Sequence, residues 1–467
     1  MKSSALILIL IFSAVFMFMI ASIPDFITLE FQVTERLKAQ ESAMNISEAG
    51  INYYVWHLAH YPDDLQDGAG TQGPYIHNIN DPQAGLIGNY SLDISGNIEC
   101  NNINSVEIKS TGSTIQFPNE KRTIKAIYSR PSVAQFTYII NDNVWAGSDR
   151  IIKGPYHSNG GIRMDGENNA LVTSAKETWN CTTSFGCNYP YEIKPGIFGQ
   201  GIGGEQGLWK FPTEIIDFNA ITMDLAQLKT LAQSSGIYFD KSENIGYTNG
   251  KGYHLILKEN GTIDVYVITK LNKVYAYNSE QGYYWDYQII NTETFYQNIV
   301  PQSSCGVLFF EDNLWIQGKL DGKITIASAN LIDSDIDTNV ILNSNIEYKD
   351  SDGSDGLTLI SEKNIKIPLY SPDNMELFGI FIAQKGNFGR DHYKSNYNPW
   401  YKRSKLEITG SIISNKRVGT KWICGETYCS GYNERENSYD SKLTINPPPL
   451  TPFSDDEYKI IKWEEIN

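Results

Sequence analysis

The sequence predicts a mainly β protein that begins with a long α-helix, continues as a small antiparallel sheet and ends in a parallel β-helix-like solenoid. A β-sandwich is the alternative for the larger part. Three observations carry this reading. Residues 26–61 hold no proline and repeat apolar residues at helical spacing. Short alternating segments bounded by Gly, Asn and Asp then take over. The later segments resemble one another and have no helical patterns between most of them.

The first element starts in an apolar run. From Ala5 to Ile23 the chain carries no charge, enough for about 28 Å of helix at 1.5 Å per residue. Lys2 precedes the run and Asp25, Glu30 and Glu35 follow it. The expectation is therefore a single-pass membrane protein, with a cytoplasmic N-terminus and the remainder extracellular or at the cell surface. Beyond the run, Ile27, Phe31, Leu37, Met44, Ile51, Val55 and Leu58 mark one helix face. Glu48, Ala49, Gly50, Tyr54 and Trp56 are the expected packing residues of this stem. Small side chains permit close approach there, and aromatic rings bury against the sheet that follows.

The domain plan follows from these patterns. Residues 1–62 are the span and stem helix. Residues 63–135 form the small sheet, from "GNYSLDIS" (Gly88), "SVEIKSTGSTIQF" (Ser105) and "KRTIKAIYS" (Lys121). The solenoid occupies 136–217 and 305–446. An insertion at 218–304 interrupts it with a helix capped by Asn219 and a β-meander whose hairpin turns at Asn260-Gly261. Residues 447–467, opening with "PPPLTPF", cap the end.

Composition narrows function. A net charge of -16 and the absence of a Lys/Arg cluster exclude nucleic acid as a partner. No phosphate-binding loop, HExxH or GxSxG is present, so no catalytic residue and no cofactor is assigned. Cys181 with Cys187 and Cys424 with Cys429 enclose short loops suited to local disulfides and lack the CxxC spacing of zinc sites. Cys100 and Cys305 remain, to pair with each other or stay as thiols.

Two polar clusters are ligand candidates. His157, Asn159, Arg163 and Asp165 could hold a surface glycan or host-cell ligand. Asp350, Asp352 and Asp355 place three carboxylates together as a calcium candidate, although neither the Gly nor the terminal Glu of an EF-hand falls at its position.

The N-terminal stretch resembles a known family. "ALILILI" from Ala5, Glu35 and "SEAGINYYVWHLA" from Ser47 are similar to the N-terminal domain of PilX-type minor pilin and pilus-assembly proteins. Downstream, "VWAGSD", "LWIQGKLDGKITIASANL" and "GSIISNKRVG" resemble an uncharacterised bacterial surface-protein ectodomain. The resemblance implies a membrane-anchored, non-enzymatic, pilin-like surface protein that assembles with other pilin-like subunits in a type IV pilus-like structure, for structure or adhesion. The apolar run lacks the carboxylate pilins usually carry there, which implies a minor or tip component. The alternative is a β-helix protein that binds or cleaves surface polysaccharide.

Overall fold

The computed structural model describes the chain apart from residues 1, 100–101, 220, 223, 302–304, 334, 426, 456 and 467, and apart from the side chains of residues 2–6, 21–25, 99 and 102. The chain is mainly β, with 46% of residues in strands and 17% in helices. It divides into two compact units: residues 1–129 with 458–467, and residues 130–457.

In the first unit, helix α1 (Lys2–His60) is continuous. Among its described residues the first half exposes its apolar side chains, whereas the second buries Ala39, Ala43, Ile46, Ile51, Tyr54 and Leu58. That spacing of three, four or five residues forms one stripe. It packs on an antiparallel sheet of β1 (Tyr75–Asp81), β2 (Gly85–Glu99), β3 (Asn102–Thr114) and β4 (Arg122–Ser129), extended beyond β4 by the C-terminal strand Lys459–Ile466. Leu92, Val106, Ile108, Ile124 and Ala126 face the helix stripe. A polar pin crosses this apolar layer: Ser47 Oγ donates to Ser110 O at 2.6 Å and accepts from Ile124 N at 3.2 Å.

Among the described residues no helix is long and apolar enough to cross a membrane. This overturns the expectation of a single-pass membrane protein with a cytoplasmic N-terminus.

The second unit is built from parallel ladders in open sheets. The longest runs Ile237–Phe239, Val307–Phe310, Lys323–Ser328, Gly356–Ser361, Asn374–Ala383, Lys402–Ser414, Tyr138–Ile140, Tyr156–Ser158, Val172–Ser174 and Trp209–Lys210, each neighbour parallel. A second ladder runs Tyr253–Leu257, Leu314–Leu320, Val340–Tyr348, Ile365–Lys366 and Phe388–Gly389. In a third, Lys402–Ser414 leads to Thr427–Ser438, Arg150–Lys153 and Glu167–Asn168. One apolar core fills the space among them.

Order along the first ladder is not order along the chain. The chain enters at Tyr138, in the middle, and runs to one end at Lys210. It restarts at the other end at Ile237 and returns to meet its own first strand at Ser414. Residues 211–236 make this connection and include α2 (Leu225–Ser234). Its cap is Asp224, whose side chain accepts from Ala226 N and Gln227 N, rather than the expected Asn219. A carboxylate receiving two orphan amides is the better start signal.

Corners between the first two ladders are set by asparagine. Asn313, Asn339, Asn364 and Asn387 each precede an apolar strand residue. Asn339 N donates to Asn313 Oδ1 at 2.9 Å, Asn364 Nδ2 to Asn339 Oδ1 at 2.9 Å and Asn387 N to Asn364 Oδ1 at 3.0 Å. Each amide group thereby satisfies a backbone or side-chain partner one rung away, where a turn leaves polar groups out of the ladder.

Candidate functional site

The site with the most concentrated chemistry lies in the second unit, beneath a long hairpin. Tyr253–Leu257 turns at Asn260-Gly261, where Gly261 takes φ 78°, into the strand Ile263–Asn278, and Gly282–Ile299 returns against it. Alternation on the returning strand sorts its residues. Tyr283, Trp285 and Tyr287 face solvent, at 52%, 52% and 57% exposure. Tyr284, Asp286 and Gln288 face the ladders. Gln288 is buried and locks the strand down: its Nε2 donates to Tyr393 Oη at 2.9 Å, its Oε1 accepts from Leu369 N at 3.1 Å, and its carbonyl accepts from Trp315 Nε1 at 2.8 Å.

Above Gln288 sits a charged cluster. Lys366 Nζ donates to Asp286 Oδ2 at 2.8 Å and lies 3.2 Å from Tyr284 Oη. Tyr284 Oη donates to Asp391 Oδ2 at 2.6 Å and is 3.3 Å from Asp286 Oδ2. Burial pushes Asp391 above the usual carboxylate range, against the pull of Lys366 and of the Tyr284 hydroxyl. Burial and then the charges of Asp391 and Asp286 drive the Tyr284 phenol far up. Burial alone would lower Lys366, but Asp286 and Asp391 raise it. A carboxyl that keeps its proton longer can donate as well as accept, which widens the partners the cluster can take.

The cluster opens into a cavity of about 430 Å³. Its walls carry Asp142, Glu280, Asp286 and Asp391 against Lys363, Lys366, Lys416 and Arg417, four acids against four bases, so it is formally neutral inside a strongly acidic chain. Asn339, Asn364 and Asn387 line its floor. A second cavity of about 550 Å³ continues along the same strand, past Trp285 and Tyr287, and Asp286, Lys366 and Asn339 border both.

The sequence candidates lie elsewhere. His157 is buried, with Nδ1 2.8 Å from Thr173 Oγ1 and Nε2 2.9 Å from Asn159 Oδ1, and burial holds its pKa down. Asn159 Nδ2 donates to Asn141 Oδ1 and Ile216 O, both at 2.8 Å. Arg163 stands on another ladder, Val144–Ala146, Ile162–Met164 and Ile197–Phe198, and Asp165 follows its middle strand. Arg163 Nε donates to Asp165 Oδ2 at 2.8 Å and its guanidinium lies 4.2 Å over Trp145. All four therefore bond within the chain.

Asp355 is likewise committed, accepting from Gly322 N at 2.6 Å and Asp350 N at 2.7 Å, while Asp352 accepts from Ser354. On α1, Gly50 and Tyr54 are buried against the sheet, Ala49 is half-buried, and Glu48 and Trp56 are exposed. Cys181–Cys187 and Cys424–Cys429 form disulfides, and Cys305 is disulfide-bonded too; Cys100 lies outside the described residues. His392, Cys424 and Cys429 bring three ligand-type atoms within 4.8 Å of one another. Both sulphurs are already bonded, so neither supplies the thiolate a metal takes.

Asp286, Lys366 and Asp391 were not singled out from sequence. The run "GYYWDYQII" signals an aromatic strand, but Lys366 is 80 residues from Asp286, and Asp391 is 107 from Tyr284.

No family model matches the sequence, and no curated protein matches it. Among solved structures, the competence-associated pilin ComZ from Thermus thermophilus is similar at 10% identity and a TM-score of 0.29, over 92% of this chain and 98% of that one.

Proposed function

We propose that this chain is a non-enzymatic, pilin-like assembly subunit, a minor or tip component of a type IV pilus-like structure that acts in structure or adhesion. One observation carries the reading. The first half of α1 presents large apolar side chains to water around its circumference, among them Phe12 (68%), Phe16 (64%), Phe18 (79%) and Phe31 (65%). An apolar surface of this extent calls for apolar company. Equivalent helices of other copies supply it by ridges-into-grooves packing. The buried second half of the same helix holds the small sheet, so one element serves both assembly and folding.

The parallel ladders are read as the faces of a β-helix. The chain visits them in turn at Tyr138–Ile140, Val144–Ala146 and Arg150–Lys153 before it comes back at Tyr156–Ser158, the path a stacked coil requires. The local disulfides support an oxidising compartment.

Phe18→Asp with Phe31→Asp in the full chain tests assembly by sedimentation. The parent is expected to form oligomers, and the double variant is expected to be monomeric with unchanged circular dichroism. A monomeric parent, or a variant that assembles like the parent, refutes the reading.

A further inference from the structure

We propose that the cleft along the strand Gly282–Ile299 binds a neutral glycan chain, with sugar rings stacked on Trp285 and Tyr287 and sugar hydroxyls bonded to Asp286, Lys366 and Asn339. This does not depend on whether subunits assemble through α1.

Three independent features converge on that ligand class. The first is the aromatic row. Tyr283, Trp285 and Tyr287 alternate along one strand face, so their rings recur at about 7 Å. Tyr283 and Trp285 are held in place by neighbours: Tyr275 lies 5.5 Å from Tyr283 and 5.1 Å from Trp285, Lys273 sits 4.6 Å from the Trp285 ring and Lys394 4.5 Å from the Tyr283 ring. Half-exposed rings fixed before a ligand arrives lose little entropy on binding. The C–H face of a pyranose is apolar and flat enough to match them, whereas its rim is polar.

The second feature is the polar wall. Although odd and even residues of the strand point to opposite faces, Asp286, Lys366 and Asn339 line the same second cavity as Trp285 and Tyr287 and also border the first, and they combine an acceptor, a donor and an amide that does both. A sugar hydroxyl is itself donor and acceptor, so it bonds to each of them. Charge is the third feature. The inner cavity is balanced, four acids against four bases, in a chain of net charge -16. A polyanion is repelled by the acidic chain as a whole, and a polycation by the second cavity, where Lys251, Lys270 and Lys366 stand against Asp286 alone. A neutral, hydroxyl-rich chain meets neither penalty. Two adjoining cavities of about 430 and 550 Å³ are each within the size range of ligand sites.

The test titrates the full-length chain, held in solution with a non-sugar detergent, with cellohexaose, chitohexaose and laminarihexaose. Tryptophan fluorescence and calorimetry are the readouts. At least one hexasaccharide is expected to bind saturably. Trp285→Ala is expected to weaken it by about tenfold, the loss of one ring stack, and Asp286→Asn to weaken it as well. Trp285→Phe keeps a ring and is expected to retain most of the affinity, as is Trp463→Ala on the other unit; equal melting temperatures show that each variant is folded. Flat titrations with all three sugars overturn the proposal, as does Trp285→Ala binding as tightly as the parent. If hairpins of two copies stack on one another instead, Trp285→Ala lowers the sedimentation coefficient while the titrations stay flat, which also overturns it.

Discussion

Replacing Gly112 by alanine is expected to loosen the contact between α1 and its sheet more than the same change at Gly50. A Cβ on Gly112 would lie 2.2 Å from the Ala43 carbonyl oxygen and 2.6 Å from Ser47 N, both backbone atoms of α1. Backbone cannot rotate away, so helix and strand must part by roughly an ångström to restore ordinary contact. Overpacking of that kind costs about 1–3 kcal/mol. The shift also stretches the Ser47 pin to Ser110 O and Ile124 N, at about 1 kcal/mol per bond. The sum is at least about 3 kcal/mol.

At Gly50 the nearest atom to a Cβ is the Ser110 hydroxyl at 2.3 Å, followed by the Tyr90 ring at 2.8 Å. Both belong to side chains, and alanine returns about 1 kcal/mol of helix propensity. A net cost of about 1 kcal/mol follows. Native-state hydrogen exchange of β3 and β4 amides in the full chain reads these values locally, which matters because a chain of two units need not melt as one. Exchange is expected to quicken about a hundredfold for Gly112→Ala and about fivefold for Gly50→Ala. Equal effects, or the reverse order, would show that close backbone approach does not set this contact.

Other predictions concern the second unit. Asp149 receives Arg435 through Nε at 3.0 Å and Nη2 at 2.8 Å, with Lys421 3.3 Å away. Asp149→Ala strands a buried guanidinium and is expected to cost about 3 kcal/mol in exchange of the strand Thr427–Ser438. Burial alone would raise the Asp149 carboxyl, but Arg435 and then Lys421 hold it below its ordinary value. Its contribution is thus complete above the unfolded value near 3.9 and is lost as pH falls through the lower folded one, so acid unfolding of Asp149→Ala is expected to be the shallower. Asn364→Ala removes the bonds to Asn339 and Asn387 and is expected to destabilise by about 2 kcal/mol in denaturant. Asp355→Ala orphans two backbone amides and is expected to lower the melting temperature, while EDTA leaves the parent's unchanged; a chelator shift would restore the calcium reading.

Much of the architecture was legible wherever one periodicity held. The stripe through Ala43, Ile51, Tyr54 and Leu58, the alternation in β4 and the Asn260-Gly261 turn each follow from local pattern. The asparagine before each apolar corner, at Asn313, Asn339, Asn364 and Asn387, was not legible as a repeat, because each passes for an ordinary turn residue. What sequence could not carry was order and distance. Nothing local says that Ser414 pairs beside Ile140, since parallel neighbours leave no turn between them. The cleft was invisible for the same reason: Asp286, Lys366 and Asp391 come from three segments that meet only once the hairpin folds over the ladders. The histidine and arginine cluster was visible because it is continuous, and its groups turn out to bond among themselves. The N-terminal run reads as a membrane span, whereas among the described residues no helix is long and apolar enough to cross one.

Assembly through the first half of α1 is tested most directly by Val33→Cys in the full chain. Val33 is exposed and lies on the apolar half of the helix, and the described native cysteines are already in disulfides. Mild oxidation is expected to give a covalent dimer that Phe18→Asp with Phe31→Asp abolishes. A Val33→Cys chain that stays monomeric, or one that cross-links equally well in the aspartate background, would contradict assembly through this helix.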